Sequence, residues 1–279
     1  MNQFTYLETE VEINLNLTEM PMKQYALITG ASQGLGKSFA YELASRKINT
    51  ILVSLPNENL RTVNQEIVET YGVDSHYFEL DLTESEKLHL FTEHINANFN
   101  LFMLINNAGI GGTMKFDVVK TDEIVKIIEI NILVLSVLTH KLMPNLLRQP
   151  DGYILNVSSM AACSPIGYKT VYPASKAFVH SFSLGLNEEL KDTNVCVSVV
   201  NPGPMATNEE GSGRLNKHGI FARMITLFPD DVAKFCISRM FKRHRVIKVN
   251  FWSWSIMRNI PVWIKLPMLT AAVKKEIAQ

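Results

Sequence analysis

Tyr25-Ala26-Leu27-Ile28-Thr29-Gly30-Ala31-Ser32-Gln33-Gly34-Leu35-Gly36 is the stretch on which the fold turns. Its first four residues read as a short apolar strand that runs straight into a glycine-rich turn, and a helix over 36–46 comes next. The glycines let the backbone turn tightly and approach a pyrophosphate. The helix start offers free N–H groups at the positive end of its dipole. A turn of this kind also serves strand-to-helix packing alone, so its meaning depends on what accompanies it.

Beyond this unit the chain alternates. Strands are expected at 50–54, 75–80, 101–105, 152–157 and 195–200, with helices at 58–71, 84–98, 121–147 and 172–191 between and after them. Such a pattern calls for an α/β fold: a single Rossmann-like, doubly wound parallel sheet with helices on both faces. Its crossovers are right-handed and its ligands lie outside the carboxyl ends of the strands. Residues 1–21 read as a loose leader, 22–250 as the Rossmann-type domain and 251–279 as an apolar and basic extension packed on or near the substrate side.

A second signal is Tyr172-Pro173-Ala174-Ser175-Lys176. Residues at i and i+4 share a helical face, so the Lys176 cation can lie beneath the Tyr172 ring and favour its phenolate. A free phenol titrates near about 10 and is a poor acid or base at neutrality unless its anion is stabilised. Ser159 stands 13 residues before the tyrosine, after Gly152-Tyr153-Ile154-Leu155-Asn156-Val157-Ser158, a buried strand ending in hydroxyls. Alternation at the strand end lets only one of Ser158 and Ser159 point into a site.

Together the two signals resemble the short-chain dehydrogenase/reductase family, whose Thr-Gly-x-x-x-Gly-x-Gly turn and Tyr-x-x-x-Lys pair occur here in order. Asn106-Asn107-Ala108-Gly109, Asn131 and Pro202-Gly203-Pro204-Met205-Ala206-Thr207 extend the resemblance over about residues 22 to 230. It implies an NAD(P)-dependent interconversion of a carbonyl and an alcohol. Tyr172 would be the general acid/base, Ser159 would hold the reacting oxygen, and Asn131 would hold a water linking Lys176 to solvent. It also implies a cofactor cradle in which Gly30, Ser32, Gln33, Gly34, Leu35 and Gly36 line the pyrophosphate turn. Asp81 and Leu82 would border adenine, and Asn107, Ala108 and Gly109 the ribose side. Tyr172, Lys176, Pro202, Gly203 and Thr207 would face the nicotinamide end. The second strand ends in Ser54-Leu55, with neither an acid for a 2′-hydroxyl nor an arginine for a 2′-phosphate. The cofactor is therefore NADP or NAD, with a slight lean to NADP, which Ser54, Asn57, Asn59 or Arg61 would reach.

Composition sets further bounds. The chain has 279 residues, 47% hydrophobic, enough for one large core. Lys plus Arg total 27 and Asp plus Glu total 27, so no global attraction to nucleic acid is implied. Cys163, Cys196 and Cys236 fit neither a disulfide framework nor a metal site and point to a reducing compartment. Glu8, Glu10 and Glu12 stand where a secretory signal would be basic, so a cytoplasmic location is expected.

Residues 239–279 hold nine Lys or Arg against the single acid Glu276. The aromatic tail Phe251–Lys265 is too interrupted to span a bilayer and admits three readings: packing over the core or a partner, a lid over substrate, or contact with a membrane surface. The segment 211–219, with Arg214, Lys217 and His218, reads either as a substrate loop for an anionic molecule or as a solvated loop. The apolar run of helix 121–147 and the long helix 172–191 imply a homodimer or homotetramer. The substrate is expected to be a small carbonyl or alcohol, hydrophobic or acyl-bearing by the character of the tail, with no metal and no nucleic acid involved. The competing reading is a dinucleotide sensor or scaffold on the same fold.

Overall fold

Each central strand is apolar on both faces, which forces helices onto both sides of the sheet. In β1 (Gln24–Thr29) Ala26 and Ile28 enter one core while Tyr25 and Leu27 enter the other. In β2 (Asn49–Ser54) Leu52 joins the first core and Ile51 and Val53 the second. The side-chain period of two thus builds two separate apolar layers. A computed structural model describes residues 23–203, 205 and 227–277.

The sheet is completed by β3 (Ser75–Glu79), β4 (Asn100–Asn106), β5 (Gly152–Val157), β6 (Val195–Val200) and β7 (Val246–Ile247). It has seven strands in the order β3-β2-β1-β4-β5-β6-β7, parallel at every pairing. The chain winds outward from β1 through β2 to β3, then returns to the far side of β1 at β4. That reversal opens a crevice at the carboxyl ends of β1 and β4.

Helices α1 (Gly34–Ser45), α2 (Leu60–Tyr71), α3 (Ser85–Asn98), α4 (Thr121–Ile128), α5 (Leu135–Leu147), α6 (Val171–Glu189), α7 (Pro229–Phe241), α8 (Phe251–Asn259) and α9 (Val262–Ile277) surround it. Phe39 and Leu43 of α1, Ile67 of α2 and Ile237 of α7 fill one core; Leu88 and Ile95 of α3 with Leu138 and Leu142 of α5 fill the other. Fully burying a side chain such as Phe39 contributes about 1.5–3 kcal/mol.

The expected single helix over 121–147 is three pieces: α4, a π-helical stretch Glu129–Val134, and α5. The wider turn sits where the Asn131 side chain is drawn out of the helix toward Ile110 and Ser175, and such π segments often mark functional positions. Helix α7 carries Pro229 in its first turn, Asp230 and Asp231 beside it and Arg239 in its last turn, which is the charge order a helix dipole favours. The leader 1–21, Pro204, Thr207 and the segment 211–219 lie outside the described residues.

Candidate active site

The turn after β1 is built so that backbone, and not side chains, faces the crevice. Gly30 and Gly34 adopt φ of +64 and +54, the left-handed region that glycine enters without steric cost. At Gly36 a Cβ would lie 2.0 Å from the Gly30 carbonyl oxygen, so no side chain fits there. Gln33 caps α1 without a side-chain hydrogen bond and no acid occupies the first turn. The N–H groups of that turn are thus left for an anion.

Asn107 and Thr29 clamp this turn to the end of β4. Asn107 Nδ2 donates to the carbonyls of Thr29 and Gly30 at 3.0 and 3.2 Å, and Thr29 Oγ1 accepts from the backbone N–H groups of Asn107 and Ala108, each at 3.0 Å. Asn107 therefore shapes the cradle by holding its backbone. Asp81 Oδ1 caps Thr83 N at 2.9 Å, and Leu82 is buried.

A cleft of about 590 Å³ at the ends of β1 and β2 is lined by Ser32, Gln33, Lys37, Glu58, Asn59 and Thr62, with Val63. Ser54 is buried beneath it and reaches no open space of its own. Its hydroxyl shares its proton between Ser32 Oγ, at 2.8 Å, and Glu58 Oε2. Glu58 was not singled out in the sequence.

Tyr172, Lys176 and Ser159 converge where β5 meets α6. Lys176 Nζ lies 5.9 Å from the Tyr172 ring centroid and donates to the Val157 carbonyl at 3.0 Å. Ser158 is 2% exposed and turns back to donate to Lys176 O, which leaves Ser159 as the hydroxyl on the crevice side. Ser159 Oγ accepts from Ala161 N at 3.1 Å and so caps the 3₁₀ turn Met160–Cys163. Met160 N in turn donates to Pro202 O at 2.9 Å, which brings Pro202-Gly203 beside the serine.

Burial governs the electrostatics. It lowers Lys176 to about 8 and pushes the Tyr172 phenol upward, with the Ser159 hydroxyl pulling the other way. Burial therefore works against the phenolate that the Lys176 charge is expected to favour.

Asn131 is 1% exposed. Its Oδ1 accepts from Ile110 N at 2.9 Å, and both amide hydrogens are taken, by Ile110 O and Ser175 Oγ. Its side chain thus clamps the loop after β4 onto α6. A Cβ on Gly109 would lie 2.9 Å from Asn131 Oδ1 and 3.1 Å from Lys176 Nζ, so this loop must approach as bare backbone.

Beside the tyrosine lies a cavity of about 180 Å³ whose apolar wall includes Ile110, Met114, Phe116, Ile124, Ile127 and Val171. Helix α9 meets the other flank of the site. Lys265, 4% exposed, donates from Nζ to Cys163 O at 2.6 Å and Met257 O at 2.7 Å, and Thr270 Oγ1 accepts from Gly167 N at 3.0 Å.

The family model of the short chain dehydrogenases matches residues 24–217. A very-long-chain 3-oxoacyl-CoA reductase from Anas platyrhynchos is 37% identical over 190 residues, 66% of this chain and 60% of the relative. The inactive hydroxysteroid dehydrogenase-like protein 1 of Homo sapiens is 31% identical over 192 residues, 67% of this chain and 58% of that one. This chain thus spans about three fifths of the length of these two relatives. Among solved structures, a short-chain dehydrogenase from Sphingobium yanoikuyae in complex with NADPH superposes with a TM-score of 0.73 at 25% identity, covering 85% of this chain and 96% of that one.

Proposed function

The chain belongs to the short-chain dehydrogenase family, and from that premise we propose that it is an NAD(P)-dependent oxidoreductase that interconverts a carbonyl and an alcohol. The observation that carries this reading is the convergence of Ser159, Tyr172 and Lys176 next to a glycine cradle that a single Cβ would fill. The backbone of Gly30–Gly36, flanked by Asn107, Ala108 and Gly109, would hold a dinucleotide, which would supply the hydride and, when oxidised, a positive charge.

The rest of the chemistry belongs to the chain. Tyr172 Oη carries the proton that the reacting oxygen receives during reduction, and its raised pKa keeps it protonated at neutrality. Ser159 Oγ donates to the same oxygen and fixes the carbonyl carbon in line for attack. Lys176, fixed by Val157 O, places its charge beneath the phenol. Asn131 and Ser175 keep the loop after β4 against α6.

A hydrophobic or acyl-bearing substrate is supported by the apolar cavity at Tyr172 and by the similarity to a very-long-chain 3-oxoacyl-CoA reductase. Turnover of a panel of long-chain 3-oxoacyl thioesters, steroid ketones and small ketones tests it, with loss of activity in Tyr172→Phe as the control. Turnover of small polar ketones alone would remove the hydrophobic substrate and keep the enzyme.

The sensor reading draws on one observation, the inactive human relative. Intact Ser159, Tyr172 and Lys176 weigh against it, because a sensor has no use for an acid at the hydride position. Tight dinucleotide binding with no turnover on that panel would favour it.

Helices α8 and α9 expose Ile256, Val262, Trp263, Ile264 and Met268 together with Arg258, Lys274 and Lys275, a composition suited to peripheral contact with an anionic lipid surface. Among the described residues no helix is long and apolar enough to cross a membrane. Deletion of residues 251–279 would release the protein from liposomes if this contact forms, and unchanged co-sedimentation would dismiss it. A homo-oligomer is supported by the exposed Val125, Ile128, Leu133, Phe178 and Leu184 on α4, the π segment and α6, and a monomer in light scattering would reject it. Free Cys163, Cys196 and Cys236 support the cytoplasm as location, which cell fractionation tests.

A further inference from the structure

The end of β2 lacks the acid that reads a ribose hydroxyl, yet a carboxylate is present in the cleft beside it. Glu58 stands four residues beyond Ser54, and the chain between folds it back. Asn57 and Asn59 take φ of 67 and 58, the left-handed region that asparagine tolerates better than other residues with a side chain. Two such residues on either side of Glu58 turn its side chain toward Ser32 and Ser54.

Ser32 Oγ donates to Glu58 Oε2 at 2.7 Å, and the Ser54 hydroxyl reaches the same oxygen. Both serines are buried, at 8% and 5% exposure. The carboxylate is thus anchored through one oxygen, and among the described residues Oε1 accepts no hydrogen bond. It borders the cleft at the carboxyl ends of β1 and β2, where a parallel sheet of this winding receives the adenosine half of a dinucleotide.

Of the basic groups nearby, one is shared with another carboxylate and one lies outside the lining. Lys37, the one cation among the lining residues, sits 3.6 Å from Glu66 Oε2 and 5.3 Å over the Tyr41 ring. Arg61 is exposed and outside the lining. A 2′-phosphate would therefore meet a fixed negative charge with no committed partner, whereas a 2′-hydroxyl would find an oriented acceptor.

From this geometry we propose that Glu58 selects the dinucleotide and favours the unphosphorylated ribose of NAD(H) over NADP(H). The strand end alone tilts the choice the other way, and the Sphingobium enzyme binds NADPH, so the family framework does not decide it. The inference rests on the dehydrogenase reading.

Calorimetric titration of the wild-type chain and Glu58→Gln with NADH, NADPH, 5′-AMP and 2′,5′-ADP separates the two. The expected result is wild-type affinity at least about tenfold higher for NADH than for NADPH, and for 5′-AMP than for 2′,5′-ADP, with the preference narrowed about fivefold or more in Glu58→Gln. A wild-type preference for NADPH overturns the role of Glu58 and leaves the dehydrogenase reading intact, as does an unchanged ratio in the variant. Binding of no nucleotide removes the dehydrogenase reading and this inference with it. If Glu58→Gln fails to fold, the wild-type ratios decide alone.

Discussion

Lys176 Nζ lies 5.9 Å from the centre of the Tyr172 ring, held there by the Val157 carbonyl at 3.0 Å. The cation is anchored from below by strand backbone, not by a carboxylate that would neutralise it. Its field is thereby left to act on the phenol and on whatever lies against it. This places the charge well, while burial lowers Lys176 to about 8 and raises Tyr172, so the phenol is held as the proton donor that reduction requires.

Replacing Tyr172 by Phe removes the proton and retains the ring. Turnover should fall at least about a hundredfold, as loss of a general acid requires, while dinucleotide affinity stays within about twofold. Steady-state rates and a binding titration on the same preparation check both halves.

The pH dependence comes from the two shifts. Tyr172 is raised above its ordinary value, so it remains protonated through neutrality and carbonyl reduction should be nearly flat there. Lys176, lowered to about 8, loses its charge above that pH, and reduction should then decline. Alcohol oxidation needs the phenolate and should rise with pH until Lys176 discharges. Rate profiles in both directions read this, and a reduction rate that climbs between about pH 7 and 9 would contradict the assignment.

At Gly36 a Cβ would stand 2.0 Å from Gly30 O and 2.6 Å from Asn107 Nδ2. Gly36→Ala must therefore push apart the turn and the Asn107 clamp, each fixed by hydrogen bonds to backbone. Dinucleotide affinity should drop at least about tenfold, and overpacking should cost about 1–3 kcal/mol of stability. Titration and urea unfolding measure the two effects.

Lys265 satisfies two carbonyls, at Cys163 and Met257, from a nearly fully buried position. Lys265→Met leaves both without this donor, at about 1–3 kcal/mol, and loosens the turn after Ser159. The expected outcome is a fall in kcat of about fivefold or more at unchanged dinucleotide affinity. A purely structural role would lower Tm and leave kcat alone.

The strand-turn-helix unit from Tyr25 to Ser45 was legible because strand alternation, glycines and helix start all coincide within it. Tyr172 and Lys176 were legible because helical spacing alone makes them neighbours. The break at Asn131 was not, since Ile127–Leu135 is apolar on nearly every side and a wider turn leaves no trace in such a run. Glu58 escaped notice because its role depends on two left-handed asparagines that fold it back on Ser54. In α7 Pro229, Asp230 and Arg239 mark the two ends of a helix that lies beyond the strand-helix alternation. The two-residue β7 is too short to carry a period. The docking of α9 on Cys163 and Gly167 joins residues about a hundred positions apart, which local patterning cannot express.

If this chain moves a hydride between a dinucleotide and a carbonyl, with Tyr172 supplying the proton, the hydride can be followed by isotope. The chain is incubated with reduced dinucleotide deuterated at the transferring carbon and a panel of hydrophobic ketones and 3-oxoacyl thioesters, and the alcohols are weighed by mass spectrometry. Deuterium should appear in a product alcohol with the wild-type chain, and at most about a hundredth as much with Tyr172→Phe. Equal labelling by the two proteins would contradict the assignment of the acid, and no labelling of any ketone by a wild-type chain that binds dinucleotide tightly would contradict the oxidoreductase itself.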